Sequence, residues 1–315
     1  MTTTGVAAAP SRRRASAGPR RRRRREAALG YLLVLPAVAA FAIFVFYPFF
    51  NNFRLALYQT PPVPGLPSRY VGLHQAGHVL FSNAYGFPGS LLTTIVFVVL
   101  VVPVSLLIGL GLAVAAHRRL RGIGVYRMIF SSTVVSSVAV AALVFGTLMN
   151  PVVGFLPWLG INPTPPLLQN PTWALPAVAV MTIWQFLGLS FIIMSAGLQS
   201  LPDEILEAAR IDGASAWTRF WRITVPMLSP TIFFALVVGT IYAFQSFGQI
   251  DILIPFRNLP ANLHVNVLIY NVVNTLTQEN NTGVAAVMSI ALFVLTLLVT
   301  LLQMRFLESR VHYGR

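Results

Sequence analysis

The sequence predicts an all-α, polytopic membrane protein with about six transmembrane helices. Of its 315 residues, 56% are hydrophobic and only 10% are charged, whereas about a quarter of the residues in soluble domains are charged. Apolar stretches also recur at about 20 residues, the length that crosses a bilayer core of about 30 Å. Six stretches qualify: 27–50, 90–116, 125–149, 172–197, 229–250 and 284–305.

The first apolar stretch follows an arginine-rich arm, residues 1–26, which we expect to be disordered and cytoplasmic. Nine arginines lie between Arg12 and Arg25, and such a run fixes topology or contacts anionic lipid; contact with a protein partner is the alternative. The stretch itself, 27–50, exceeds the 7–15 residues of a signal-peptide core and has no clear cleavage site. It therefore begins a transmembrane domain of residues 27–315.

Arginine placement predicts that the N- and C-termini are both cytoplasmic. With the N-terminus inside, the inner segments hold nineteen of the 22 basic residues. The outer segments hold three, namely Arg54, Arg69 and Arg257. Inner loops of membrane proteins carry the excess of positive charge, and this uneven spread also argues against a nucleic-acid partner.

The connection between spans four and five, residues 200–228, is unusually charged. Its stretch 203–212 holds four of the eight acidic residues of the chain. We predict that Ser200 caps a short helix with Pro202 in its first turn, and that Glu207 pairs with Arg210.

A second short helix is predicted in the same loop. Gly213 breaks the first helix, Ser215 caps the second and Pro226 ends it. The residue pattern is amphipathic and suits either a docking surface for a cytoplasmic partner or a helix resting on lipid headgroups. The apolar face contains Trp217, Phe220, Trp221 and Thr224.

This loop resembles the EAA motif of permease subunits in binding-protein-dependent ABC importers, which have the MalF/MetI-like fold. A valine replaces the usual leucine before the proline of the motif. The resemblance extends from about residue 29 to the end, and the tail QMRFLESRVHY is most similar to permeases of the glycerol-3-phosphate or glycerophosphodiester (UgpA) type, although maltose- and trehalose-type permeases share most features. The matching residues are Glu207, Ala208, Ala209, Asp212, Gly213, Ala214, Ile223 and Pro226.

The resemblance implies a role and a set of partners. The loop forms a coupling helix that docks on a separate ATPase subunit, with Glu207 meeting a basic group there and Gly213 permitting the turn. The partners implied are a second permease, a dimeric ATP-binding subunit and an extracytoplasmic substrate-binding protein. This chain itself binds no cofactor, because ATP and Mg²⁺ belong to the ATPase.

No enzyme motif is present in the sequence. A phosphate-binding P-loop requires a lysine, and the chain contains none. There is no HExxH and no Gly-x-Ser-x-Gly. His74 and His78 have i, i+4 spacing, but two histidines without acidic companions do not predict a metal site.

Polar residues inside the spans are candidates for the substrate pathway, because polar groups facing lipid are costly. We expect three of them to share one face of helix five at i, i+3 and i+7. The alternative is hydrogen bonding that only packs the helices together. The candidates are Trp184, Gln185, Tyr242, Gln245, Gln249 and Asp251.

The sequence therefore predicts an ABC importer permease in the plasma membrane that moves a small polar solute inward. An ion-coupled secondary transporter with a merely interfacial loop is the alternative from another class. The absence of lysine suggests a GC-rich, actinobacterial source.

Overall fold

The computed structural model describes residues 19–61, 65–117, 122–254 and 264–307. The described chain is dominated by helices, as the sequence predicts. Within these residues, four helices are long and apolar enough to cross a membrane, and there are up to six spans if each of two bent helix pairs counts as one. Some predictions lie outside the described residues, namely those on 1–18, 118–121, Arg257 and 308–315.

The N-terminal unit ends at Asn52, and its described part, from Pro19, is helical throughout. Helix α1 (Pro19–Phe41) continues through a π-helical turn (Ala42–Phe46) into α2 (Tyr47–Leu55). The helix reaches back into the arm because arginine is a good helix former. Pro48 explains the wide turn, since it has no N–H for an α-helical bond to the residue four positions earlier.

The second unit begins at Phe53 with a short structured connection. Strands β1 (Tyr58–Gln59) and β2 (Arg69–Tyr70) pair antiparallel, and α3 (His74–Phe81) follows. The N–H of Gly283 donates to Thr60 Oγ1 at 3.0 Å. The connection is thereby tied to the start of the last helix.

The third predicted span is not straight. After α4 (Phe87–Ala116), α5 (Ile123–Ser132) and α6 (Val138–Leu148) meet at an angle of 105°. The expectation of one continuous helix over 125–149 is therefore wrong. Ser137 Oγ accepts from the N–H of Val140 at 3.2 Å and so starts a new helix.

The fourth span forms the centre of the fold. A short helix, α7 (Phe155–Trp158), precedes α8 (Ala174–Gln199). Helix α8 packs against α4, α5, α6 and the fifth span. Its buried residues on that core include Met181, Phe186, Phe191 and Met194.

Three short helices make the loop that follows. They are α9 (Asp203–Ile211), α10 (Ala216–Arg219) and α11 (Val225–Met227). The segment 216–227 meets the next helix at 66°.

The fifth span is shorter than predicted. Helix α12 (Ser229–Phe244) stops six residues before the expected end at 250, and α13 (Gly248–Leu253) begins after a break. Ser246 Oγ donates to the carbonyl of Tyr242 at 3.1 Å, which closes the first helix. Helices α14 (Leu268–Thr277) and α15 (Thr282–Leu307) complete the chain, and α15 confirms the sixth span.

Candidate functional site

The loop 200–228 begins differently from the sequence prediction. Ser200 does not cap α9; its hydroxyl donates to the carbonyl of Gly197 at 2.8 Å and closes the end of α8. Pro202 is the residue before α9 and provides no side-chain cap. The reason is distance along the chain, because Ser200 is three residues from Asp203 and still within reach of the last carbonyls of α8.

The turn after α9 has a defined geometry. Gly213 has a φ of +76°, in the left-handed region that favours glycine. Its N–H donates to the carbonyl of Arg210 at 3.1 Å, and the N–H of Ala214 donates to that of Ala209 at 3.0 Å. These two bonds are the Schellman pattern of helix ends. The predicted role of Gly213 as the breaking residue is confirmed.

The second part of the loop is held by side chains. Ser215 Oγ accepts from the N–H of Thr218 at 3.2 Å, as predicted for its cap. Arg219 Nη1 donates to the carbonyl of Ala214 at 2.8 Å and so ties α10 to the turn. A π-helical turn (Phe220–Thr224) joins α10 to α11. Pro226 lies inside α11 and therefore does not end the helix, contrary to the sequence prediction.

The loop presents a mixed surface. Glu207, Ala208 and Asp212 are exposed, whereas Ala209 is buried. Among the described side chains, no ion pair joins Glu207 to Arg210, so the predicted pair does not form. The remaining predicted loop residues, Ala214, Ile223 and Pro226, are half-buried, and Gly213 is exposed.

Sequence reasoning missed one residue of this surface. Ile211 is 87% exposed at the end of α9, between the glutamate and the glycine of the motif. Trp217 is 72% exposed on the other side of the turn. The available signal was a large apolar side chain at the end of a short, charged helix.

Three predicted pathway residues meet in one cluster. Gln249 Nε2 donates to Gln185 Oε1 at 3.2 Å and lies 3.3 Å from the hydroxyl of Tyr242. Both glutamines are buried, and the ring of Tyr242 stacks on Phe186 with centroids 5.3 Å apart. We call Gln185, Tyr242 and Gln249 the amide cluster.

The helix break creates this cluster. Gln249 lies on α13, not on a continuous helix five, so the predicted i, i+3, i+7 face does not exist. Gln245 is instead exposed at the break, and Asp251 is half-buried on α13. Trp184 is half-buried and its ring packs against Phe145 of α6 at 5.5 Å.

The amide cluster is neutral, and its groups donate and accept hydrogen bonds. Amide and hydroxyl groups of this kind suit the hydroxyls of a polar solute. A hollow of about 420 Å³ lies nearby between α6 and α13. It is lined in part by Thr147, Asn150 and Gln169, none of which sequence reasoning selected. Thr147 lies near the end of the predicted span 125–149, and the other two lie in the connection that follows it.

Within the described parts of the chain, no three His, Asp or Glu side chains come together as a metal site.

Comparison with known protein families gives a match over most of the chain. Residues 82–313 match the family described as the binding-protein-dependent transport system inner membrane component. The chain belongs to this family. It is a transport component, and its apolar spans make it a multi-pass protein of the plasma membrane.

Related proteins cover almost the whole chain. The sn-glycerol-3-phosphate transport system permease protein UgpA of Agrobacterium fabrum is 38% identical over 294 residues, which are 91% of this chain and 97% of that protein. The protein of the same name from Rhizobium meliloti is 35% identical over 291 residues, with the same coverage of both chains. These sources do not support the expectation of an actinobacterial origin.

Solved structures confirm the fold. A bacterial ABC transporter involved in the import of the acidic polysaccharide alginate matches with a TM-score of 0.72 at 21% identity, over 90% of this chain and 96% of that chain. A bacterial alginate ABC transporter in complex with an alginate pentasaccharide-bound periplasmic protein matches with a TM-score of 0.73, also at 21% identity, over 89% and 93%. The chain therefore has the ABC-permease fold predicted from its sequence.

Proposed function

We propose that this chain is the permease subunit of an ATP-driven importer of glycerol-3-phosphate or its diesters. The names and the near-complete coverage of its relatives support this cargo. The partners are a second permease, a dimeric ATPase that holds ATP and Mg²⁺, and an extracytoplasmic binding protein. Both termini and the loop 200–228 face the cytoplasm, as the arginine bias favours.

The observation that carries the proposal is the rigid, exposed turn of the loop. A Schellman turn, a serine cap and the Arg219 bond hold α9 and α10 in one arrangement. Glu207 and Ile211 lie four residues apart on α9, and both are exposed, as is Asp212 after the helix. Such a surface offers a carboxylate for a basic partner group and an apolar residue for a pocket, as docking surfaces require.

The loop is also connected to the amide cluster. Leu228 is 1% exposed at the bend between α11 and α12. It packs closely on Gly197 of α8, because a Cβ added to this glycine would lie 3.0 Å from Leu228 Cδ2. Tyr242 lies fourteen residues along the helix from Leu228, or about 21 Å at 1.5 Å per residue. A push on the loop is therefore carried by a stiff helix to the cluster when the ATPase closes.

The substitution Glu207→Arg tests this coupling. We expect normal insertion and a loss of ATP-driven uptake, because a guanidinium replaces the carboxylate that meets the basic group. Glu204→Arg, an exposed change on the same helix, is the matched control and keeps uptake. Uptake is measured in vesicles that contain the complete importer. Normal uptake by Glu207→Arg would refute the coupling role.

A disaccharide of the maltose or trehalose type is the second candidate cargo. The neutral amide cluster favours it, since neutral groups suit sugar hydroxyls and offer no cation to a phosphate. Uptake of radiolabelled glycerophosphodiester and disaccharide by the same vesicles separates the two cargoes.

A further inference from the structure

A second hollow lies at the loop end of α8. It has a volume of about 530 Å³ between α5 and the last turns of α8. Ser195 of its lining is ten residues beyond Gln185, or about 15 Å along the helix, so the hollow is distinct from the amide cluster. The polar residues of its lining are Arg127, Ser131, Ser195, Gln199 and Ser200.

Arg127 is a half-buried cation in this hollow. Its Nη2 donates to the carbonyl of Ala116, the last residue of α4, at 3.1 Å. Its Nε is buried and has no hydrogen-bond partner among the residues that the structure describes. Among the described side chains, no carboxylate lines the hollow. A buried donor without an acceptor is destabilising, and a guanidinium suits the oxygens of phosphate and carboxylate groups.

Ser195 provides a second donor on the facing helix. Its Oγ is buried and also has no hydrogen-bond partner in the described part of the chain. Thr182 on the same helix, by contrast, donates its hydroxyl to the carbonyl of Val178 at 2.9 Å. One charged and one neutral donor from two helices thus lack acceptors among the described residues in one hollow. A small oxyanion would satisfy both.

The hollow lies on the same helix as two of the predicted pathway residues, Trp184 and Gln185. Ser195 lies eleven residues from Trp184, which is about three helical turns, so both are on one face of α8. We propose that the hollow binds a phosphate-bearing anion at the loop end of the pathway, with Arg127 and Ser195 as its donors. The link to the pathway rests on the proposed function. The anion is the phosphate group of the cargo or the headgroup of an anionic phospholipid, which present the same chemistry.

The chain contains no cysteine, so Ala196→Cys places a single thiol of this chain in the lining of the hollow. The complete importer, with the cysteines of its partners replaced, is placed in nanodiscs of phosphatidylcholine. Labelling by a maleimide is followed with inorganic phosphate, with sn-glycerol 3-phosphate or with glycerol. We expect both phosphates to slow labelling, and glycerol to leave it unchanged.

Two further substitutions test the donors. In Arg127→Gln, half-protection is expected to need about tenfold more phosphate, and in Ser195→Ala about threefold more, because charged hydrogen bonds are the stronger ones. An unchanged labelling rate without ligand shows that the hollow is intact. If Arg127→Gln alters that rate, because the residue also contacts α4, Ser195→Ala decides.

The lipid composition separates the two sources of the anion. Protection by phosphatidylglycerol in the nanodisc, lost in Arg127→Gln, assigns the lipid headgroup; protection by sn-glycerol 3-phosphate in phosphatidylcholine assigns the cargo. The proposal is overturned if neither protects, or if both donor substitutions leave protection unchanged. Uptake by the Ala196→Cys importer is measured separately, so a failure of the cargo assignment is not confused with a failure of the hollow.

Discussion

Gln249 is the residue that joins the amide cluster, since its Nε2 lies within hydrogen-bond distance of both Gln185 Oε1 and the Tyr242 hydroxyl. Such a cluster can line a pathway or merely pack the bundle. A hydrogen bond between membrane helices contributes about 0.6 kcal/mol on average. A contact with cargo worth about 1.4 kcal/mol changes affinity tenfold. A substitution in a packing cluster therefore changes stability slightly, whereas a substitution in a pathway changes the affinity for cargo.

We predict that Gln249→Leu raises the KM of uptake about tenfold while thermal stability falls only slightly. Initial uptake rates over a range of cargo concentrations, together with a thermal unfolding curve, measure both quantities. Gln245→Leu is the control, because Gln245 is exposed and is not part of the cluster. A large loss of stability with an unchanged KM would assign the cluster to packing alone.

The residues of the amide cluster could be selected from the sequence by their polarity alone. Gln185, Tyr242 and Gln249 stood out because polar groups are rare in apolar spans. Their meeting was predicted for the wrong reason, since the contact depends on a break after Phe244 rather than on helical spacing. Ser200 shows the same limit, because two helix ends compete for one hydroxyl and only the three-dimensional structure shows which obtains it.

At the scale of elements, the number of spans was predictable and their bends were not. Hydropathy over about 20 residues reports burial in lipid, and an apolar bend has the same hydropathy as an apolar helix. The 105° angle between α5 and α6 is therefore invisible in composition, although Ser136 and Ser137 were a local signal. The turn between α9 and α10 was predictable, because it requires a glycine.

We predict that Gly213→Ala weakens binding of the ATPase subunit about tenfold. Nothing lies within 4 Å of an added Cβ, so the cost is backbone strain alone, about 1–2 kcal/mol for a left-handed residue. Gly213→Asn is the matched control, because asparagine adopts this conformation more readily, and it should retain most of the binding. Affinity of the solubilised permease for the ATPase subunit is the measurement. Equal binding by the original protein and by both variants would show that docking does not require the left-handed turn at Gly213.

For the whole molecule, charge and hydropathy carry complementary information. Hydropathy places the spans but leaves the direction of the chain open. Arginine bias selects one of two directions, with nineteen basic residues on one side and three on the other. In that direction the loop 200–228 lies on the side where ATP is available, as the proposed function requires.

The absence of cysteine makes this direction directly testable. Ser68→Cys, between the first two spans, and Ala216→Cys, in α10, each introduce one exposed thiol. On intact cells, a maleimide that cannot cross the membrane is expected to label Ser68→Cys at once and Ala216→Cys only after permeabilisation. The reverse pattern would place the docking surface away from any cytoplasmic ATPase. Coupling through Glu207 would then be physically impossible, whatever the fold, because force from ATP hydrolysis has to enter where the nucleotide is.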